Sequence, residues 1–153
     1  MIALALALVL QPRDALGTFG SWGAFRDPSP LRCFAIAKPV TRTRNGQPFA
    51  SIATWPGQGV RNQLHIRLSR VRAANARVTL AIGERRFELR AGDMDAWAPD
   101  ARTDAAVVAA IRDGRSMSVE TVSADGTAFA DTYKLAGAAT AIDAAALGCA
   151  GRG

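Results

Sequence analysis

The 153-residue chain predicts a mainly β domain: an antiparallel β-sandwich or open barrel with two short α-helices, the C-terminal one tied by a disulfide. Three observations carry this expectation. Apolar and polar residues alternate through much of residues 64–90, the period of half-buried strands. Glycine (14) and proline (7) punctuate the chain at short intervals, as the turns of a β-rich fold require. From Thr103, and again after Gly137, the pattern becomes helical.

Thr18 to Phe25 and Leu31 to Lys38 read as strands that flank a Pro28-Ser29-Pro30 turn. Arg44-Asn45-Gly46 is a hairpin-type turn, because Asn-Gly accepts the positive φ such turns demand, and it leads into a strand from Pro48 to Trp55. Pro56-Gly57-Gln58-Gly59 then breaks the chain. In the next strand Leu64, Ile66 and Leu68 share one face, with His65 and Arg67 on the other; Val78, Leu80 and Ile82 repeat the pattern. Gly83-Glu84 turns into Arg85 to Arg90, where Phe87 and Leu89 alternate with Arg86, Glu88 and Arg90. A charged outer face behind such alternation means antiparallel strands.

Thr103 or Asp104 is positioned to cap a helix that runs to about Asp113, with Val107, Val108 and Ile111 on one stripe and Gly114 as its stop. Strands from Ser116 to Ser123 and from Thr127 to Lys134 flank a turn at Ala124-Asp125-Gly126. The alanine-rich stretch from Ala138 to Leu147 is the second helix, ending against Cys149. No repeat or linker interrupts the chain. Residues 1–17 form a signal-peptide-like segment and residues 18–153 a single domain.

That leading segment contains nine apolar residues, Ile2 to Leu10, followed by Gln11, Pro12 and Arg13. The run is too short to span a membrane, which takes roughly 20 apolar residues, and fits the apolar region of a secretory leader, about 7–15 residues long. A loose small-x-small match at Ala15-Leu16-Gly17 marks the cleavage region. The two cysteines agree with export. Cys33 and Cys149 lack the clustered spacing of a metal site and have no neighbouring histidine. In an oxidising compartment they close nearly the whole domain into one loop; without export they are two buried, inert thiols.

Net charge is +6, unevenly spread. Arg26 to Arg90 holds 13 basic and 3 acidic residues, whereas Ala91 to Gly153 holds 5 basic and 9 acidic. A basic half points to an anionic partner, to the acidic half of the same fold, or simply to water. Parity places Arg67, Arg86 and Arg90 on strand exteriors, where they form a candidate surface for an anionic membrane or an acidic envelope protein; failing that, they keep exposed strands soluble. A nucleic-acid-binding module is the weaker alternative, and no nucleic acid is expected.

Catalytic material is scarce. His65 is the single histidine. A hydrolase-like alternative would use it as a base with Ser51 or Ser69 as nucleophile, but no nucleophile elbow accompanies it. Asp93, Asp95, Asp100 and Asp104 lack the loop spacing of a calcium site, and Gly17, Gly20 and Gly23 lack the flanking strand and Gly-Lys-Ser/Thr of a phosphate loop. Neither metal nor cofactor is expected. Trp22, Trp55 and Trp97 read as core packing, with Trp97, between Ala96 and Pro99, also a candidate contact anchor.

The last third resembles the invasion-associated locus B family of Alphaproteobacteria. The features that carry the likeness are Arg112-Asp113-Gly114 at the helix end, the Gly126-Thr127 hairpin, Asp131-Thr132-Tyr133-Lys134-Leu135, and the alanine-rich helix to Cys149. The early part adds a tryptophan strand at Trp22, a cysteine strand at Cys33 and an Arg-x-Gly-x-Pro hairpin. Many relatives carry further mid-chain cysteines, which this chain lacks. The resemblance implies an exported, non-enzymatic envelope protein, in some pathogens linked to entry into host cells, and it transfers no binding site.

Overall fold

A computed structural model describes residues 12–41 and 46–151. The apolar run at residues 2–10 and most of the hairpin turn at residues 44–46 lie outside the described residues. Ten strands form one open antiparallel sheet: β1 (Asp14–Phe19), β2 (Trp22–Pro28), β3 (Leu31–Ala37), β4 (Phe49–Trp55), β5 (Val60–Arg67), β6 (Val78–Ile82), β7 (Arg85–Ala91), β8 (Asp95–Trp97), β9 (Ser116–Val122) and β10 (Ala128–Lys134). Their spatial order is β1-β2-β3-β4-β5-β8-β7-β6-β9-β10. Two helices complete the fold, α1 (Ala101–Asp113) and α2 (Ala138–Cys149).

The predicted class holds, with local corrections. Thr18 to Phe25 is not one strand: Gly20 and Ser21 turn the chain between β1 and β2, and β1 reaches back to Asp14, so four residues of the 1–17 segment belong to the sheet. The three-residue β8 is too short for alternation to reveal it. It fills the gap between β5 and β7 and joins the sheet's two halves.

Inward-facing residues alternate along every long strand. Trp22, Cys33, Ile52, Leu64, Ile66, Leu80, Val119 and Tyr133 all fall within one buried cluster. Helix α2 lays Ala138, Ala141, Ile142 and Ala145 into it across β1–β4, and its small side chains permit a close approach. Helix α1 adds Val107 and Ile111 against β5 and β7. The sheet does not close, but its ends are tied: the Trp22 indole Nε1 donates to the Lys134 carbonyl at 2.8 Å, and the Ser21 N–H donates to the Ala136 carbonyl at 3.1 Å. The disulfide is formed. Cys33 on β3 and Cys149, the last residue of α2, are bonded with their Cα atoms 5.9 Å apart.

The cap of α1 is Asp100, not Thr103 or Asp104. Its carboxylate accepts from the Thr103 N–H at 2.7 Å, and that bond draws its pKa below the ordinary value. Asp104 is buried and accepts from the Leu64 N–H of β5 at 2.9 Å, stitching the helix to the sheet. Gly114 ends α1 in extended backbone. It is small for want of room: an added Cβ would stand 2.9 Å from both Ile82 and Leu135.

Burial pushes the Asp104 pKa up, outweighing the Leu64 bond that lowers it. Since the folded value exceeds the unfolded one, the folded state binds the proton more tightly. Stability then falls as pH rises from about 3.8 through the folded pKa, and the penalty is fully present at neutral pH. Asp104→Asn keeps an acceptor for Leu64 without the charge. It is expected to raise the melting temperature at pH 7, with the gain vanishing below about pH 3.8. Asp104→Ala orphans the Leu64 N–H and should cost about 1–3 kcal/mol in denaturant unfolding.

Candidate functional site

The outer face of the sheet, away from both core and disulfide, gathers the chemistry-bearing side chains around β5. His65 and Arg67 project from it because Leu64 and Ile66 are committed to the core. Pairing places His65 between Ser51 on β4 and Trp97 on β8, while Arg67 lies between Phe49 and Asp95. Arg90 of β7 follows Trp97 in the same row.

His65 Nε2 lies 2.8 Å from Asp95 Oδ1. A carboxylate only accepts, so Nε2 carries the proton. The other carboxylate oxygen of Asp95 receives Arg67 Nη1 at 2.6 Å. The imidazole stacks on the Trp97 ring, 5.3 Å between centroids and 11° between planes. Phe49 meets it edge-on at 5.0 Å and 90°. The result is a half-exposed cluster of three rings with a cation and an anion in fixed positions.

From sequence, Asp95 is only one of four acids that lack the loop spacing of a calcium site. Its pairing with His65, 30 residues away, depends on the β5–β8 register and has no local signal beyond the alternation Asp95-Ala96-Trp97. Neither Ser51 nor Ser69, the two hydroxyls considered for a hydrolytic triad, is presented to His65. Ser51 is next to His65 in register, yet its Oγ is buried and has no hydrogen-bond partner among the described residues. Ser69 is engaged elsewhere, donating through Oγ to Asp131 at 2.5 Å and through its N–H at 2.9 Å.

Arg67, Arg86 and Arg90 do share the outer face without forming one positive band. Arg67 is neutralised by Asp95. Arg86 donates to Glu120 on β9 at 2.7 Å and stands four residues along β7 from Arg90, about 13 Å at strand spacing. Arg90, opposite Trp97, has no ion-pair partner among the described residues. Trp97 is half-buried, and Trp22 is in the core.

Three of the four carboxylates have separate duties, and Asp93 contributes its main-chain carbonyl. Asp95 serves His65 and Arg67, Asp100 caps α1, Asp104 holds β5, and the Asp93 carbonyl accepts from the Arg72 N–H. Among the described residues, no group of three or more His, Cys, Asp or Glu side chains is placed to hold a metal ion. Gly17 sits at the β1–β2 bulge, Gly20 in their turn and Gly23 within β2, so the three make hairpin geometry and no phosphate cradle.

No family model matches the sequence, and no curated protein matches it. Among solved structures, the chain is similar to the crystal structure of invasion associated protein B from Bartonella henselae, with a TM-score of 0.61 over 86% of this chain and 96% of that one. The two are 17% identical, so the likeness is one of fold. Agreement between that architecture and the motif spacing in the last third makes the chain invasion-associated locus B-like in fold.

Proposed function

We propose that the protein is an exported, non-enzymatic module of the cell envelope that works by binding. The observation that carries this reading is the Cys33–Cys149 bond, which joins β3 to the last residue of α2 and leaves no free thiol among the described residues. A structural disulfide of this span persists in an oxidising compartment and is rare in a reducing one. The resemblance to invasion-associated locus B proteins and the apolar run at residues 2–10 support the same location. The contact surface is the outer face around Trp97, with Arg67 and Arg90 beside it, and its partner is an envelope protein or an anionic membrane surface. The aromatic cluster suits contact better than turnover, because the hydroxyl nearest His65 is buried.

The test is intact mass combined with cell fractionation of the native protein. The expected result is an envelope-fraction chain, shortened at its N-terminus and two hydrogens lighter than its reduced form. Since β1 begins at Asp14, the new N-terminus is expected no later than that residue. A full-length, reduced chain in the cytosol would overturn the proposal.

A further inference from the structure

A second feature of the outer face lies at the far end of β3, apart from the His65 cluster. Arg13, Asp27, Pro30, Arg32 and Trp55 line a hollow of about 390 Å³ at the β2–β3 turn. Its floor is aromatic. The Arg32 guanidinium lies 4.1 Å over the Phe34 ring and 5.1 Å from the centre of Trp55, and Phe34 in turn stacks on Phe25.

The charges in this hollow do not balance. Asp27 is taken by Arg13, which donates from Nε at 2.6 Å and from a terminal nitrogen at 3.2 Å. Arg32 has only a looser 3.7 Å approach to the same carboxylate. Its Nε is buried and lacks a hydrogen-bond partner among the described residues, which leaves the Nη groups as its accessible donors. Burial also lowers the Arg32 pKa, against the pull of Asp27 and with the push of Arg13. Two cations thus face one anion around a partly desolvated guanidinium whose orientation two rings fix. A planar fork of this kind matches a planar oxyanion.

We infer that this hollow is a binding site for a carboxylate carried on a small flat or apolar body, with the acid group on Arg32 and the body against Trp55. The surplus is one positive charge, which a monoanion matches. A phosphate dianion would be left half-neutralised beside Asp27. The carboxylate comes either from a free organic acid or from the C-terminus of a peptide.

Titration of the purified protein, with Arg13 confirmed by intact mass, tests this through the Arg32 Nε–H and Trp55 indole N–H resonances. The probes are benzoate, inorganic phosphate, and an N-acetylated tripeptide ending in phenylalanine as its free acid and as its amide. Benzoate or the free-acid peptide should shift both resonances saturably, with a Kd on the order of 1–10 mM. A response to benzoate alone assigns the site to free acids. A response to the free-acid peptide and not its amide assigns it to chain ends.

Arg32→Gln should weaken binding about 10- to 100-fold, the loss of a charge-assisted pair, whereas Arg102→Gln, an exposed position on α1 outside the hollow, should leave it unchanged. Asp27→Asn removes the competing anion and should tighten binding several-fold, a gain that misfolding cannot produce. No saturable shift with either carboxylate, equal binding of phosphate, or an Asp27→Asn variant that binds no more tightly would each overturn the assignment.

Discussion

Replacing Cys33 and Cys149 together by alanine is expected to lower the unfolding free energy by about 4–5 kcal/mol. The bond spans 116 positions, and a loop of that length loses about this much closure entropy in the unfolded ensemble. For a domain of this size the loss corresponds to a melting temperature lower by roughly 10–20 °C. Against a typical total of about 5–15 kcal/mol, the variant is left marginal. Alanine is the apt replacement because both cysteines are buried, and a serine hydroxyl would add a desolvation penalty of its own. Urea titrations of the oxidised protein, the protein in reductant and the double variant check the expectation. The midpoints of the last two should coincide, well below the first. Coincidence of all three would show that the bond contributes nothing.

The bond matters for the binding face as well as for stability. Cys33 lies on β3 between Arg32 and Phe34, whose side chains point outward while its own points to the core. Tethering the end of α2 to that residue fixes the strand carrying the Arg32 hollow. The helix is drawn close there: a Cβ on Gly148 would lie 2.6 Å from Leu16 of β1 and 3.6 Å from the Cys33 sulfur. Reduction should therefore loosen β1, β3 and α2 together, and hydrogen exchange would show it as one cooperative opening.

Much of this architecture is written locally. Val78, Leu80 and Ile82, then Phe87 and Leu89, reveal their inward faces through alternation alone, and the β9–β10 turn is marked by Asp125-Gly126. What eluded sequence reasoning rests on distant partners. β8 has three residues, too few for periodicity to register, and exists because β5 and β7 both need a neighbour. The β1–β2 turn at Gly20-Ser21 carries no Asn-Gly or Asp-Gly signal, so two strands look like one. Asp100, Thr103 and Asp104 are all cap-forming types near one helix start. Only the Leu64 N–H, 40 residues away, decides that Asp104 serves the sheet instead. Parity correctly sent His65, Arg67, Arg86 and Arg90 outward. It could not tell which carboxylate each would meet, since that is set by strand order.

Gly137→Ala is expected to destabilise the protein by at least about 3 kcal/mol, through strain and collision at one point. Gly137 is the residue before α2 and has φ of +86°, a conformation that costs an alanine about 1 kcal/mol or more. The larger part is steric. Its added Cβ would stand 1.9 Å from the Phe19 carbonyl oxygen, a backbone atom that no rotamer change can move. The crowding is reciprocal, because a Cβ on Gly20 would lie 2.3 Å from the Ala136 carbonyl oxygen, next to the 3.1 Å bond that Ser21 donates there. The β1–β2 turn and the β10–α2 junction thus touch backbone to backbone, and this contact helps to hold the two ends of an unclosed sheet together. Gly126→Ala isolates the two causes: its φ is +88°, but an added Cβ meets nothing within 4 Å, so it should cost only about 1 kcal/mol. In a double-mutant cycle, Gly20→Ala and Gly137→Ala should together cost less than the sum of their separate losses, because either one already forces the two backbones apart. Equal losses for Gly126→Ala and Gly137→Ala in denaturant unfolding would show that the approach is not a tight contact in solution.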